Sequence, residues 1–321
     1  MNIPTQLNPA QQNLNPKATI RRIGVVGVGH MGGNFAANLI ADGYQVTVYD
    51  REVKHTVPFV ALGASAAPSL ADLAGCEAVL TSVPDDNALT DVTLQGNGLL
   101  QALAPGAIHV SMSTISPGLA RRLEEEHRRA GQSYVAAPVL GNPDLAHDRN
   151  LFVIAAGPTA ALARVSPVLS RLGQHVFVLG EDPGAANLMK VAANALTALT
   201  LQSMGEVLAL LRKGGLESRT AFEVLTGSLF DGKVHKTYGG KIVEGRYSPP
   251  GMTIPLAVKD LRLALAEAEH TAVPMPTTSL VHDRLVATIA RGWAELDWSA
   301  LGLLAETEAG LARNISKSGA K

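Results

Sequence analysis

Short apolar runs alternate with stretches of helical spacing along the first half of the chain. The runs have the length and composition of buried strands, and they cover residues 23–28, 46–49, 78–83, 108–112, 135–136, 152–155 and 176–179. Between them, residues 31–42 repeat apolar positions at helical spacing, and Ser116 followed by Pro117 marks the start of a charged helix. Strands separated by helices predict a doubly wound, mostly parallel α/β sheet with helices on both faces.

After Pro183 the pattern becomes helical. Residues 184–213 contain no proline and no strand signal, and at about 1.5 Å per residue they predict a helix about 45 Å long. A helix of that length exceeds the edge of a small sheet, so we expect it to bridge two domains. Further helical patterns follow at residues 220–225, 256–269 and 279–291. The second half of the chain is therefore predicted to be all-α.

These patterns predict the domain boundaries. Residues 1–20 carry three prolines and no periodicity, which predicts a mobile tail. Residues 21–183 would form the α/β domain, and residues 184–321 would form the helical domain, including the long helix. Gly239-Gly240 is interpreted either as part of a cleft lining or as a loop between helices.

Composition and charge narrow the class of protein. Of 321 residues, 46% are hydrophobic, and the net charge of −1 supplies no positive field for nucleic acid or an anionic membrane. No apolar run reaches the ~18 residues of a membrane span, and the first residues do not resemble a secretory signal. One cysteine and nine scattered histidines give no metal-ligand spacing. We expect a cytoplasmic protein with no nucleic-acid partner, no membrane partner and no metal.

A glycine-rich turn lies between the first predicted strand and helix. Gly27, Gly29 and Gly32 have the spacing G-x-G-x-x-G, with His30 and Met31 inside it. The first glycine permits the turn, the second lets backbone approach a pyrophosphate, and the third lets the helix pack on the strand. The N–H groups that begin the helix would bind the phosphates. A dinucleotide site is predicted here; the alternative is a tight turn with no ligand.

The end of the second predicted strand bears on which dinucleotide binds. Asp50 ends that strand 18 residues after Gly32, where a carboxylate can bind the adenosine ribose hydroxyls. Its charge repels the extra phosphate of NADP and favours NAD. Arg51 and Lys54 favour NADP, because a guanidinium can pair with that phosphate. We expect NAD as the cofactor, with NADP as the alternative.

A polar stripe marks the first turns of the long helix. Asn187, Lys190, Asn194 and Thr197 are spaced by three, four and three residues, so they lie on one helix face among apolar neighbours. Burial lowers the pKa of a lysine and suits it to proton transfer. The alternative is a lysine whose ammonium reaches solvent along an apolar stem.

A set of short motifs occurs in one order along residues 22–308. They are the glycine loop, residues 49–51, Ser113-Thr114, residues 137–139, Lys190 with Asn194, Lys259-Asp260 and residues 296–300. Together they make the chain resemble the β-hydroxyacid dehydrogenases, the group of 3-hydroxyisobutyrate dehydrogenase, tartronate semialdehyde reductase and glyoxylate/succinic semialdehyde reductase. The resemblance implies a Rossmann-type domain, an interdomain helix and a helical domain that helps to form a homodimer.

The resemblance also implies roles for individual residues. Lys190 would be the catalytic lysine, and Asn194 would orient the substrate. Further cofactor contacts would come from Val83, Pro84, Asp85, Ser113, Thr114 and Lys259, in addition to the glycine loop, Asp50 and Arg51. The alternatives are a helix-capping loop for Ser113-Thr114 and a solvated lysine for Lys259.

The predicted substrate pocket departs from the family's usual pattern. The family loop usually reads Asp-x-Pro-Val-Ser-Gly-Gly, whereas residues 136–142 read Ala-Ala-Pro-Val-Leu-Gly-Asn. Leu140 therefore replaces a serine that helps to hold the substrate carboxylate, and Asn142 is an alternative donor. Met252 stands where many members have phenylalanine. We expect a more apolar pocket, lined by Leu140, Gly141, Asn142, Asn187 and Met252.

The sequence thus predicts an NAD(P)-dependent oxidoreductase. It would move a hydride between nicotinamide and a small carbonyl or alcohol substrate of hydroxyacid or semialdehyde type, with Lys190 in proton transfer. An imine reductase on the same scaffold is one alternative, although those enzymes usually lack a lysine at the position of Lys190. A non-catalytic NAD(P)-binding scaffold is the other, and the Lys190–Asn194 pair argues against it.

Overall fold

A computed structural model describes residues 20–311. The chain forms two compact units, and the boundary between them follows Lys190. We call them the N-terminal and the C-terminal unit. Ile20, predicted to belong to the tail, is 3% exposed and packs in the core of the N-terminal unit, so the tail prediction is wrong for this residue. The rest of the predicted tail lies outside the described residues.

A six-stranded parallel sheet forms the centre of the N-terminal unit. Its strands are β1 (Arg22–Val26), β2 (Gln45–Tyr49), β3 (Ser65–Ala66), β4 (Ala78–Thr81), β5 (Ile108–Ser111) and β6 (Ser133–Ala136). The order is β3-β2-β1-β4-β5-β6, and each neighbouring pair is parallel. The order reverses between β1 and β4, where ligands of such sheets bind beyond the carboxyl ends of the strands. The predicted doubly wound sheet is confirmed.

Helices connect these strands and cover the sheet. They are α1 (His30–Ala41), α2 (Val57–Ala61), α3 (Asp86–Leu94), α4 (Leu99–Ala102), α5 (Pro117–Arg129), α6 (Pro143–His147) and α7 (Thr159–Leu169). The last two predicted strands lie in a separate sheet, in which β8 (Leu151–Ala155) pairs antiparallel with β7 (Val139–Leu140) and parallel with β9 (Gly173–Val178). Strands β3 and β7 have two residues each, too few to give a sequence pattern.

Apolar side chains fill the core on both sides of the main sheet. On one side Val25, Val48, Leu80 and Val110 pack with Leu39 of α1, and all five are fully buried. Strands covered on both faces read as continuous apolar runs, which explains why the sequence identified them. Burial of each such side chain contributes about 1.5–3 kcal/mol.

The second half is helical, as predicted. Helix α8 (Pro183–Lys213) is followed by α9 (Ser218–Thr226), α10 (Lys233–Glu244), α11 (Ile254–His270), α12 (Pro276–Ala290) and α13 (Leu301–Glu308). No helix among the described residues is long and apolar enough to cross a membrane.

The interpretation of Gly239-Gly240 as a loop is wrong, because both glycines lie inside α10. A Cβ atom on Gly239 would lie 2.8 Å from Met204 Cε and 2.8 Å from a ring atom of Phe222. Glycine therefore permits close packing within the C-terminal unit, and the helix tolerates its conformational cost.

Asp297 organises the segment that carries the last family motif. Its buried carboxylate lies 2.8 Å from the Lys241 ammonium and accepts hydrogen bonds from Gly251 N–H and from Ser299 N–H and Oγ. A buried charge that is paired and fully hydrogen-bonded fixes the backbone around it. This part of the motif therefore maintains the fold of the C-terminal unit.

Candidate active site

The three glycines of the loop after β1 have different reasons to be glycine. Gly27 has a φ of +82°, and a Cβ atom there would lie 2.4 Å from the Ser82 carbonyl oxygen. A Cβ on Gly32 would lie 1.9 Å from the Gly27 carbonyl oxygen. At Gly29, by contrast, no described atom lies within 4 Å of the added Cβ. The loop is thus closely packed on the protein side and open at Gly29, which fits a ligand that approaches the backbone.

The first turn of α1 suits an anion. Its N-cap is Gly29, which has no side chain to cap the N–H groups, and the turn carries no acidic residue. His30 is exposed, whereas Met31 packs partly into the core, so the backbone of Met31 is what it offers to a ligand. N–H groups at a helix start favour a phosphate through hydrogen bonds and the helix dipole. These residues therefore fit the pyrophosphate of a dinucleotide.

Asp50 lies beside this loop. Its Oδ2 accepts a hydrogen bond from the Val28 N–H at 3.0 Å, and its Oδ1 accepts one from the Glu52 N–H at 2.9 Å. His55 Nδ1 lies 3.1 Å from Oδ1. His55 was counted from the sequence only among the scattered histidines, and its one signal for a role here is its position five residues after Asp50. Arg51 is exposed, and within residues 20–311 its side chain forms no hydrogen bond or ion pair.

The loops after β4 and β5 are tied together. The Val83 N–H donates to Ser113 Oγ at 2.9 Å, and Ser113 is 3% exposed. Asp85 Oδ1 accepts from the Ala88 N–H and caps α3. Pro84 lies between these two anchored residues, so the backbone of this loop is fixed on both sides.

The loop that contains Ser113 and Thr114 leads into helix α5. Ser116, and not either of these residues, caps α5 by accepting from the Leu119 N–H. The Ser113 hydroxyl instead holds the loop after β4, and Thr114 follows directly after it.

The predicted substrate loop contains β7 and the start of α6. Leu140 is half-buried and, like Val83, packs against the buried apolar cluster that includes Ile115 and Tyr134. Gly141 has a φ of +141°, which favours glycine. The Asn142 side-chain oxygen accepts from the Leu145 N–H at 2.9 Å and caps α6. The cap leaves the Asn142 amide nitrogen as the side-chain group that could donate to a substrate.

Asn187 and Lys190 are both buried on the first turns of α8. Lys190 is 6% exposed, so the structure does not show the solvated lysine of the alternative interpretation. Asn187 Oδ1 lies 3.5 Å from the Ile115 nitrogen, a long hydrogen bond. Its fully buried Nδ2 has no hydrogen-bond partner among the described residues. A buried donor left unpaired is costly, which is consistent with a partner supplied by a bound molecule.

Asp260 contacts two polar side chains of the C-terminal unit, those of Asn194 and Lys259. It is 1% exposed, its Oδ2 accepts from Asn194 Nδ2 at 2.5 Å, and its Oδ1 lies 2.9 Å from Lys259 Nζ. The Lys259 side chain is 12% exposed, so the solvated-lysine alternative is wrong. Asp260 was recognised from the sequence only as part of the Lys259-Asp260 motif, with no role of its own. Met252 is half-buried in the helical core, and its carbonyl accepts from the Trp298 N–H.

These residues supply the parts of a dinucleotide-dependent oxidoreductase. The N-terminal unit holds an anion-binding helix start and a carboxylate beside it, and α8 carries a buried lysine one turn before a buried amide. A buried lysine can bind an oxygen atom and exchange a proton with it. Among the described residues no group of three His, Cys, Asp or Glu side chains could hold a metal.

Comparison with known proteins agrees with this class. The family described as the NAD binding domain of 6-phosphogluconate dehydrogenase matches residues 22–180, and the NAD-binding domain of NADP-dependent 3-hydroxyisobutyrate dehydrogenase matches residues 184–304. An uncharacterised oxidoreductase of Bacillus subtilis is 37% identical over 87% of this chain and 98% of its own length. The 3-hydroxyisobutyrate dehydrogenase of Pseudomonas aeruginosa is 32% identical over 87% of this chain and 96% of its own. The chain belongs to the 3-hydroxyisobutyrate dehydrogenase family of NAD(P)-dependent oxidoreductases, as the resemblance predicted.

Solved structures give the same picture. The structure of a Mycobacterium tuberculosis 3-hydroxyisobutyrate dehydrogenase with L-serine has a TM-score of 0.79, 26% identity, and covers 89% of this chain and 99% of its own. An imine reductase from Myxococcus stipitatus covers 88% of this chain and 99% of its own with a TM-score of 0.60 and 24% identity, which is likeness of fold alone. The comparison favours the dehydrogenase interpretation over the imine reductase.

Proposed function

We propose that this protein interconverts a small hydroxyacid and the corresponding carbonyl compound, or a semialdehyde and its alcohol, with Lys190 as the catalytic residue. The observation that carries the proposal is the burial of Lys190 one helical turn before Asn194. Residues 21–183 would bind the dinucleotide, and residues 184–321, including α8, would contribute the substrate side and the dimer contacts.

The chemistry divides between the cofactor and the chain. The nicotinamide supplies or accepts the hydride when bound. Lys190 accepts the hydroxyl proton of an alcohol substrate, or returns a proton to the carbonyl oxygen in the reverse direction. Asn194, held by Asp260, orients the oxygen that Lys190 contacts, and the unpaired Asn187 Nδ2 is a further donor on the same helix face. These contacts would restrict the orientation of the substrate before the hydride is transferred.

The proposed cofactor is NAD rather than NADP. The Asp50 carboxylate lies beside the glycine loop, where a negative charge disfavours a 2′-phosphate. The loop 83–85, Ser113 and Thr114 would lie under the dinucleotide, and Lys259 would contact it from the helical domain. Arg51 is the residue through which NADP use could persist.

The proposed substrate is more apolar than the family's short acids. Leu140 replaces a hydroxyl that would donate to a carboxylate, and the Asn142 oxygen is committed to the cap of α6. Gly141, Asn187 and Met252 complete the proposed lining. A hydrogen bond from the Asn142 amide nitrogen is the remaining way for this loop to hold a carboxylate with a side chain.

We further propose a homodimer in the cytoplasm, with a small-molecule substrate and no nucleic-acid or membrane partner. Exposed apolar side chains on α8 support an interface, since Leu196 is 65% exposed and Leu210 is 70% exposed. Light scattering of the purified chain would show twice the monomer mass if this is right, and the monomer mass if it is not.

A spectrophotometric panel tests the proposed function. Short semialdehyde acids, longer apolar carbonyl compounds, 3-hydroxyacids and cyclic imines would each be assayed with both cofactors. Turnover of a carbonyl or hydroxyacid, and loss of that turnover on Lys190→Ala, supports the proposal. Turnover of imines alone would favour the imine reductase, and dinucleotide binding without any turnover would favour the scaffold.

A further inference from the structure

A short 3-10 turn places His55 next to Asp50, the residue that follows β2. The turn covers Val53–His55 and is closed by hydrogen bonds from the His55 N–H to the Glu52 carbonyl and from the Thr56 N–H to the Val53 carbonyl. The Thr56 hydroxyl also donates to the Val53 carbonyl at 2.8 Å. The backbone of the turn is therefore well tied, and it holds His55 Nδ1 at 3.1 Å from Asp50 Oδ1.

Asp50 has little capacity left for a ribose. A carboxylate offers about four lone-pair positions. The Val28 N–H uses one on Oδ2, and the Glu52 N–H and His55 Nδ1 use two on Oδ1. An adenosine ribose brings two hydroxyl donors, the 2′ and the 3′. Asp50 can accept one of them without losing a bond, so a second acceptor is needed nearby.

The pairing with Asp50 determines which nitrogen of His55 carries the proton. An ionised carboxylate only accepts hydrogen bonds, so Nδ1 is the protonated nitrogen and Nε2 has the lone pair in the neutral ring. The side chain is 46% exposed, whereas that of Asp50 is 13% exposed. Nε2 of the neutral ring can therefore accept a hydrogen bond from a hydroxyl group. It cannot form a hydrogen bond with a phosphate oxygen, because both atoms are acceptors.

Other charges around the turn are few. On the same segment lie Arg51, Glu52 and Lys54, the last two 3.9 Å apart. Helix α2, which packs against the turn, carries no ionisable side chain, and neither does strand β3, which packs against α2. Helix α1 also packs against α2 and begins with His30. His55 is thus the histidine of this segment that contacts Asp50 directly.

We propose that His55 is a second specificity-determining residue for the dinucleotide, and that its protonation changes the preference between NAD and NADP. Neutral His55 accepts a ribose hydroxyl at Nε2 and favours NAD. Protonated His55 carries an N–H at both nitrogens, so Nε2 donates to a 2′-phosphate while Nδ1 keeps its bond to Asp50. The inference rests on the proposed dinucleotide site and assigns a pH-dependent role to a residue within it.

The test measures binding rather than turnover. Isothermal titration of the full chain with 5′-AMP and with adenosine 2′,5′-bisphosphate, at about pH 8 and about pH 6, isolates the effect of the 2′-phosphate, since the two probes differ only there. His55→Asn keeps a donor in the place of Nδ1 but has no Nε2 and no charge. His147→Asn is the matched control, because His147 also has Nδ1 beside an aspartate, Asp148, at 2.9 Å and belongs to α6.

The phosphates of the probe also change protonation between pH 8 and pH 6. This contribution to the affinity is the same for every variant, so it cancels when variants are compared. From pH 8 to pH 6 the wild type and His147→Asn should gain roughly three- to tenfold in affinity for the bisphosphate relative to His55→Asn, as expected for a half-exposed charge-assisted bond. Nitrogen-resolved histidine spectra should also show Nδ1 as the protonated nitrogen of neutral His55. The same pH profile in His55→Asn and the wild type would overturn the inference alone. Failure of the wild type to bind either probe or NAD would overturn the proposed function as well.

Discussion

Buried polar side chains on α8 and α11 carry the proposed chemistry. Lys190, Asn194 and Asp260 are each at most 6% exposed, and such groups persist in a core only when they are paired or used. The helical spacing predicted that Lys190 and Asn194 share one face of a helix, and the family resemblance implied their roles. The sequence could not identify the role of Asp260, because Asn194, which donates to its carboxylate, lies 66 residues away along the chain, on another helix.

Lys190→Ala should remove most of kcat while leaving dinucleotide binding intact. Loss of a proton-transfer group costs about 10²- to 10⁴-fold in rate. Lys190→Arg should fail similarly, since a guanidinium keeps the charge but does not release its proton. Steady-state kinetics and NADH binding would be measured for both, with Lys213→Ala on the same helix as the control. Near wild-type kcat in Lys190→Arg would remove proton transfer from the role of Lys190.

Leu140→Ser should improve the use of short carboxylated substrates. The new hydroxyl can donate to a carboxylate, and such a bond contributes roughly 1.5–3 kcal/mol, which corresponds to at least about tenfold in KM. Leu140→Ala is the matched control, because it removes similar apolar volume without adding a donor. The comparison of KM for short semialdehyde acids between the two variants isolates the hydroxyl. Equal KM values would assign the carboxylate anchor to Asn142 or to a backbone N–H.

At the scale of elements, polar residues at helix starts decide how the loops of the site are held. Ser116 is both a predicted and an observed cap. Asp85 and Asn142, interpreted from the resemblance as ligand contacts, cap α3 and α6. Asp, Asn and Ser are the preferred residues for capping and also common residues of binding sites. Residue type alone therefore could not separate the two roles, and the local backbone geometry was needed.

A buried chain of hydrogen bonds crosses strands β4 and β5 and reaches helix α5. Gln132 Nε2 donates to the Leu103 carbonyl, which turns its Oε1 towards His127 Nδ1 at 2.6 Å. His127 Nε2 therefore accepts from His109 Nδ1 at 2.9 Å, and His109 Nε2 accepts from the Thr81 hydroxyl at 3.0 Å. The direction of the whole chain requires both rings to be neutral. These histidines look scattered along the sequence, since only the fold brings His109 and His127 together across 18 residues.

Stability should fall as the pH drops below about 6.5. Burial lowers the pKa of His127 to about 4. Burial, and repulsion between the two rings if both were protonated, lower the pKa of His109 well below its usual value. The unfolded chain binds these protons near pH 6.5 and the folded chain does not, so acid favours unfolding. The expected loss is roughly 1.4 kcal/mol per pH unit for each histidine.

Urea unfolding at pH steps from about 8 to about 4.5 would measure this loss. His127→Asn keeps a donor towards Gln132 but cannot take up a proton, so its stability should depend less steeply on pH, by about one proton. His175→Asn, in the small sheet, is the control. Parallel pH profiles for all three proteins would show that the buried pair is not the source of the acid sensitivity.

Over the whole molecule, the order of strands and helices was predictable because each element has its own hydrophobic period. The parallel sheet of the first half and the all-helical second half were both predicted from these patterns. Elements of two residues, such as β3, have no period, and α10 contains two glycines that weaken its helical signal. Tertiary packing overrides that weakness, since the glycines permit the close contact with neighbouring side chains.

Each unit has its own hydrophobic core, and the two share helix α8. A ligand that binds only the folded N-terminal unit stabilises that unit by mass action, by about 2.7 kcal/mol at a hundred times its dissociation constant. NAD should therefore raise the temperature of the unfolding transition that includes the N-terminal unit, as measured by differential scanning calorimetry. Because Asp50 disfavours a 2′-phosphate, NADP at the same concentration and at about pH 8 should raise it less. A larger shift with NADP would show that Arg51 outweighs Asp50, and the absence of a shift with either dinucleotide would contradict the assignment of the glycine loop as their binding site.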